Sequence, residues 1–289
     1  MRFLKLAFVL MLVILSIPLL KANAQESLEI NYPKQDLKQD PNKIYIHELI
    51  DLILAHTPKP YKLRILPFTM PQSRSIYEMT KATGQVDLLW SMTTDEREKQ
   101  LIPIRIPIDK GLFGWRIPII QNKHRSRFAN IEKIKDLQSY TAGQVHDWPD
   151  VDILKSNQLK VVVSTEYSPL FHMLESERFD YFPRSSIEIW QELETHKHMD
   201  LIADPHIVLH YPTAAYFFIT KRRPELANDF QIGFEKIIQN GKFERLFQKY
   251  NHETIIKSDL KSRKIIQLNN PLLNPKSLPL QRSELWFRP

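Results

Sequence analysis

Three hydroxyls and a guanidinium stand close together in the stretch Val86 to Gln100, VDLLWSMTTDEREKQ. Ser91, Thr93 and Thr94 offer small hydroxyls that both donate and accept. Arg97 offers a planar fork of N–H groups that fits a carboxylate or phosphate at two points at once. The chemistry these residues suit is reversible anion capture. Val86, Leu88, Leu89 and Trp90, just before them, have the bulk and run length of a buried parallel strand. In an open α/β sheet, ligands sit beyond the carboxyl ends of strands, where this sequence puts its hydroxyls and its arginine. The same residues also fit a plain helix start, with Thr94 or Asp95 as N-cap and Arg97 in solvent.

Two more arginines fall at comparable places. Arg74 opens a helix after the strand KLRILP, and Arg184, followed by Ser185, comes after a strand ending at Phe182. All three guanidiniums are expected to converge on one cleft. Trp90, Trp115, Trp148 and Tyr181 have faces suited to lining it, although core packing uses such residues equally well. Asp147, beside Trp148, is the candidate partner for a cation. His206 and His210 share a strand face, but no third ligand stands at a recognised spacing, so neither metal nor cofactor is expected. The sequence contains no Gly-x-Ser-x-Gly elbow and no His-Glu-x-x-His, and its six glycines form no phosphate loop. An enzyme is therefore not expected.

The elements that must position these groups follow from periodicity. Strands are read at Leu28–Tyr32, Lys62–Pro67 and Val86–Trp90, with helices at Tyr45–Leu54 and from Thr69 to Met79 between them. That alternation predicts parallel pairing through right-handed crossovers. From Leu101 to Ile120, prolines at 103, 107 and 118 and glycines at 111 and 114 mark extended chain passing from one lobe to a second. The second lobe alternates again. Its strands are read at Tyr140–Val145, Lys160–Ser164 and Phe179–Phe182, and its helices at Ile131–Leu137, Asp150–Ser156, Tyr167–Glu177 and Ile187–Leu193. Ile207 to Thr220 reads as the return crossover. Pro224 to Ile238 is a helix with Leu226, Phe230, Phe234 and Ile237 on one face, and Phe243 to Tyr250 gives a last turn or two. The proline-rich tail, Ile255 to Pro289, is expected to pack along a lobe through Leu272, Leu273 and Trp286.

At 43% hydrophobic and 25% charged, the 289 residues have an ordinary globular composition and enough length for two lobes. Arg2 and Lys5 precede an apolar run from Leu6 to Leu20, and Ala22-Asn23-Ala24 supplies a small-x-small cleavage pattern. Residues 1–24 therefore read as a signal peptide for export to the periplasm. An uncleaved anchor is the alternative. The formal charge of +7 includes Arg2, Lys5 and Lys21, and without those three it is +4, too diffuse to argue for nucleic acid. Cysteine is absent, which excludes disulfides, thiolate chemistry and a lipidated N-terminal Cys.

Three phrases together resemble the type II periplasmic solute-binding proteins, especially the amino-acid-binding branch known as bacterial extracellular solute-binding family 3. They are DLLWSMTTDEREKQL, ESERFDYFPRS at Glu175 to Ser186, and RRPELANDFQIGFEKIIQNGKFERLFQKY at Arg222 to Tyr250. The resemblance covers about Leu28 to Tyr250. It implies an α/β fold of two lobes, mixed sheets flanked by helices and two crossover strands, closing on a solute by hinge motion. Lobe one is then residues 25–114 and 214–289, the tail from about 255 included, and lobe two is 115–213.

The resemblance makes Arg97 the carboxylate clamp and Thr93 its hydroxyl partner. Trp90, Ser91, Trp148, Ser185, Arg74 and Arg184 complete the expected site. Where the family has its amine-binding carboxylate, this chain has Arg184 and Ser185, so an α-amine would need Asp147 or Glu188. The implied function is capture of a small carboxylate-bearing solute, amino-acid-like or an organic acid, for transport or sensing. An inner-membrane permease or a sensor receptor is the implied partner, and the protein is expected to act as a monomer. The alternative on the same fold is a periplasmic enzyme resembling cyclohexadienyl dehydratases.

Overall fold

A computed structural model describes residues 27–34 and 42–289. The expected signal peptide lies outside the described residues. The strands are β1 (Leu28–Tyr32), β2 (Tyr61–Ile65), β3 (Leu88–Met92), β4 (Ile102–Ile104), β5 (Trp115–Gln121), β6 (Thr141–Val145), β7 (Lys160–Ser164), β8 (Phe182–Ser185), β9 (Leu201–Ala203), β10 (Ile207–His210), β11 (Ala215–Ile219) and β12 (Lys264–Gln267). The helices are α1 (Lys43–Leu54), α2 (Gln72–Thr80), α3 (Asp95–Gln100), α4 (Arg125–Phe128), α5 (Ile134–Leu137), α6 (Pro149–Ser156), α7 (Pro169–Glu175), α8 (Ile189–Thr195), α9 (Pro224–Gln239) and α10 (Lys242–Ser258). No helix among the described residues is long and apolar enough to cross a membrane.

The strands divide between two lobes. In one, β1 and β2 pair in parallel, and β11 lies antiparallel between β3 and β4. A backbone hydrogen bond from Asp87 to Asn31, 2.9 Å, joins the two groups. In the other lobe, β12, β10, β5 and β8 lie side by side with β9 also on β5, and the parallel pair β6 and β7 joins them through a bridge between Ala142 and Tyr181. The chain leaves the first lobe between Ile104 and Trp115 and returns between His210 and Ala215. These are the two crossovers, the first shorter than read: Pro107, Gly111 and Gly114 lie in it, while Pro103 and Pro118 belong to β4 and β5, held there by their strand partners. At Gly111 the backbone is left-handed (φ 78°) and the Trp286 ring lies 2.6 Å from where a Cβ would be. Only glycine fits there.

Helix α9 carries the long apolar face read from its spacing: Leu226, Phe230, Phe234 and Ile237 are all fully buried. At about 2 kcal/mol for each such side chain, that face fixes the helix in place. Gly233 allows the close approach to α1, since a Cβ there would stand 2.6 Å from the carbonyl oxygen of Ile53.

Three expectations shift. β3 begins and ends two residues later than read, so Ser91 lies inside the strand, opposite Tyr216 of β11. Its one hydrogen-bonded neighbour among the described strands, β11, is antiparallel, because the chain returning from the other lobe pairs with it. β8 likewise starts where the expected strand ends, so Arg184 and Ser185 are strand residues paired with Ile117 and Arg116. The tail differs most. Instead of staying with the first lobe, it adds β12 in parallel to β10 of the second lobe, after α10 has reached that lobe through Ser258 and Trp190 (2.8 Å). It then returns: Asn269 bonds Asn157, Asn270 bonds the carbonyl of Pro212, and Leu273 and Leu278 bury themselves in the first lobe.

Candidate functional site

Between the lobes lies a cavity of about 220 Å³. The first lobe contributes Tyr32, Thr69, Gln72, Ser75, Trp90 and Met92, and the second contributes Trp148, Pro149, Asp150, Arg184 and Glu188. Phe113 and Arg116, at the first crossover, close the back. Across the opening, the Ser73 N–H at the start of α2 donates to Asp147 Oδ2 at 3.1 Å, so the lobes touch at the rim.

A buried ionic ladder forms the second-lobe wall. Arg116 meets Asp150 with Nε at 3.0 Å and Nη2 at 3.2 Å, and its Nη1 reaches Glu188 at 3.5 Å. Arg184 bonds the same Glu188 oxygen at 3.1 Å and Glu192 through Nε and Nη2 at 2.7–2.9 Å. Tyr211 and Tyr167 hydroxyls donate to Asp150 and Glu192. The Arg184 guanidinium also lies 4.7 Å from the Trp148 ring centroid, a cation–π contact. Burial works against charge on Arg116 and Arg184, but the carboxylates outweigh it and hold both pKa values above the ordinary guanidinium value.

Arg97 is 9% exposed and sits one layer behind the cavity wall. Its Nη1 donates to Ser91 Oγ and to the Met92 carbonyl, 2.9 Å, and no carboxylate pairs with it among the described residues. Burial brings its pKa down to about 10, against the pull of Asp147 and Asp150. Thr94 is the N-cap of α3, accepting from Arg97 N–H at 3.1 Å, while Thr93 turns its hydroxyl to Glu98 at 2.7 Å.

The structure therefore brings Trp90, Trp148, Arg184 and Glu188, the alternative counter-charge, to the cavity and leaves the other expected residues off its lining. Arg74 pairs with Glu78 at 2.7 Å on the surface, because four residues along a helix is the spacing at which such side chains meet. Ser185 is buried and donates to the Leu112 carbonyl at 3.3 Å. Asp147 spans the rim. Trp115 lies against His210, and Tyr181 packs on Phe128 in the second-lobe core. Arg116, Asp150 and Glu192 were not anticipated. Two signals point to them: an arginine inside the apolar run WRIPII needs a buried counter-ion, and Arg184, Glu188 and Glu192 recur at intervals of four.

No family model matches the sequence, and no curated protein matches it. Solved structures do. The probable amino-acid ABC transporter extracellular-binding protein of Bacillus subtilis superposes with a TM-score of 0.59 at 18% identity, covering 78% of this chain and 97% of that one. The chain has the type II periplasmic-binding-protein fold. An arginine-specific periplasmic binding protein of Salmonella typhimurium shares this fold with a TM-score of 0.57 at 12% identity, over 78% and 99% of the chains. So does an ancestral amino-acid-binding protein that is a precursor of cyclohexadienyl dehydratase, with a TM-score of 0.57 at 16% identity, over 78% and 95%. In a periplasmic-binding-protein fold, a cavity walled by both lobes lies where hinge closure encloses a solute.

Proposed function

We propose that this protein is a periplasmic solute-binding protein that reversibly captures a small carboxylate-bearing solute between its lobes. The observation carrying this reading is the cavity itself, which mixes aromatic and apolar faces with small polar groups on its first-lobe side and sets ionic groups beside Trp148 on its second, as small-molecule sites do. Arg97, a buried guanidinium without a carboxylate partner, is the anion clamp once the wall at Met92 yields to a ligand. Trp90 and Trp148 are the flanking faces, and Arg184 is a second positive charge. Residues 1–24 act as the export signal, and the partner is a membrane permease or a sensor receptor, met by a monomer.

Binding is favoured over turnover by the state of the cavity carboxylates. Asp150 and Glu188 are each engaged by guanidinium groups, so neither carboxylate is presented to a substrate. A thermal-shift screen of amino acids, dipeptides and organic acids on the mature chain tests the reading, since a ligand bound only by the native state raises Tm. Arg97→Ala is expected to abolish that shift while leaving the circular-dichroism spectrum unchanged. An undiminished shift would reject the clamp, and turnover of prephenate or arogenate would replace capture with catalysis.

A further inference from the structure

The charged groups lining the cavity divide unevenly: the carboxylates are engaged and donors are left over. Asp150 Oδ1 accepts from the Tyr211 hydroxyl and lies 3.0 Å from Arg116 Nε, whose N–H goes to Tyr211 Oη, and its Oδ2 accepts from Arg116 Nη2. Glu188 Oε2 takes Arg184 and Arg116, and its Oε1 takes Asn42 Nδ2 at 3.4 Å. Glu192, just behind, is filled by Arg184 and Tyr167. All three carboxylates are buried.

The donors differ. Every hydrogen bond of Arg184 leaves from Nε or Nη2, so Nη1 has no acceptor among the described residues. The indole N–H of Trp90 is buried with no acceptor, and Lys34 at the cavity edge has no ion pair among the described residues. Among the residues lining the cavity, an ammonium would find no open carboxylate and would have to displace a guanidinium from a buried pair; Asp147, which accepts the Ser73 N–H, stands at the rim and off the lining. An anion would meet donors that have nothing else to bond. Between these groups the rings of Trp90, Phe113 and Trp148 offer apolar faces, and the volume equals that of about seven waters at roughly 30 Å³ each.

We propose, resting on the solute-capture reading above, that the solute is an ammonium-free anion with a flat or branched apolar body, such as an aromatic 2-oxo or aryl carboxylic acid. The ion pairs of the second lobe stand in for the charges that a zwitterion would otherwise bring. Discrimination against amino acids then comes from the absence of a free carboxylate in the lining.

Calorimetric titration of the mature chain with matched pairs tests this: phenylpyruvate against L-phenylalanine, and 4-methyl-2-oxopentanoate against L-leucine, with succinate, L-arginine and L-glutamine alongside. The oxo acids are expected to bind at least ten-fold tighter than their amino partners and than succinate. Trp90→Phe, which keeps a ring and removes the N–H, should weaken the better oxo acid three- to ten-fold. An amino acid that binds as tightly as its oxo partner, or succinate as the best ligand, overturns the proposal and leaves solute capture standing. If none of these solutes and no other member of the broad screen binds, both fall together.

Discussion

The carboxylate of Asp109, in the first passage between the lobes, accepts a hydrogen bond at 3.2 Å from the backbone N–H of Ala215, the residue that opens β11 after the second passage. Its other oxygen accepts from Phe113 N–H at 2.6 Å. One fully buried side chain thus fastens both crossovers. Replacing it by Ala strands these donors at about 1–3 kcal/mol each, so Asp109→Ala should lower stability by about 3 kcal/mol in urea denaturation. Burial, only partly offset by these N–H groups, holds the Asp109 pKa above the ordinary carboxylate value. The group's contribution is therefore greatest below about pH 3.9 and declines as pH rises through the folded-state pKa. The stability of Asp109→Asn relative to wild type should improve over that rise and then level off; a flat difference from pH 4 to 7 would contradict the shift.

His210 holds the tail strand. Its ring lies 4.1 Å, centroid to centroid, from Trp115, and Nδ1 meets Gln267 Oε1 of β12 at 3.0 Å. Burial lowers its pKa, against the pull of the Gln267 contact, so the folded protein prefers neutral imidazole. The stabilisation is complete above about pH 6.5 and fades as pH falls from there through the lower folded value. The loss of Tm between pH 7.5 and 5.5 should be larger for wild type than for His210→Gln, and equal losses would count against it.

The Arg184–Glu192 pair is the deepest part of the ionic wall. Glu192→Ala leaves Arg184 with Glu188 alone and should cost about 3–5 kcal/mol, the usual result of breaking a buried pair from one side. Glu192→Gln keeps an acceptor for Tyr167 and should cost less. Urea midpoints for the two variants give the ordering.

Two glycines separate close approach from backbone conformation. A Cβ at Gly84 would stand 1.5 Å from the Glu78 carbonyl oxygen, so Gly84→Ala should yield little folded protein. Gly241 is left-handed (φ 71°) with only the Arg245 side chain near, and Gly241→Ala should cost about 1 kcal/mol by thermal melting.

Periodicity was informative where one face of an element meets the core. α9 was legible because four apolar residues recur at helical spacing, and the crossovers were legible through Pro107, Gly111, Gly114 and Pro212, although Pro103 and Pro118 lie inside β4 and β5. Strand ends were less so. Ser91 and Ser185 are polar, yet each lies within a strand because a neighbour from a distant part of the chain supplies the hydrogen bonds. Local polarity does not record that. Among the candidate residues, Trp90, Trp148 and Arg184 reach the cavity, whereas Arg74 is drawn to Glu78 four residues on. The pairing of Arg116 with Asp150 joins residues far apart in sequence, and only the fold brings them together.

Because β12 pairs with β10, the second lobe is completed by residues near the end of the chain. During synthesis, the outer edge of β10 has no strand to cover it until residue 267 has emerged, and bare edges invite pairing with other molecules. Lys264–Gln267 therefore serve as a closing stitch whose loss by nicking would reopen that edge, making truncation ahead of them a route to aggregation even when every residue around the cavity is intact.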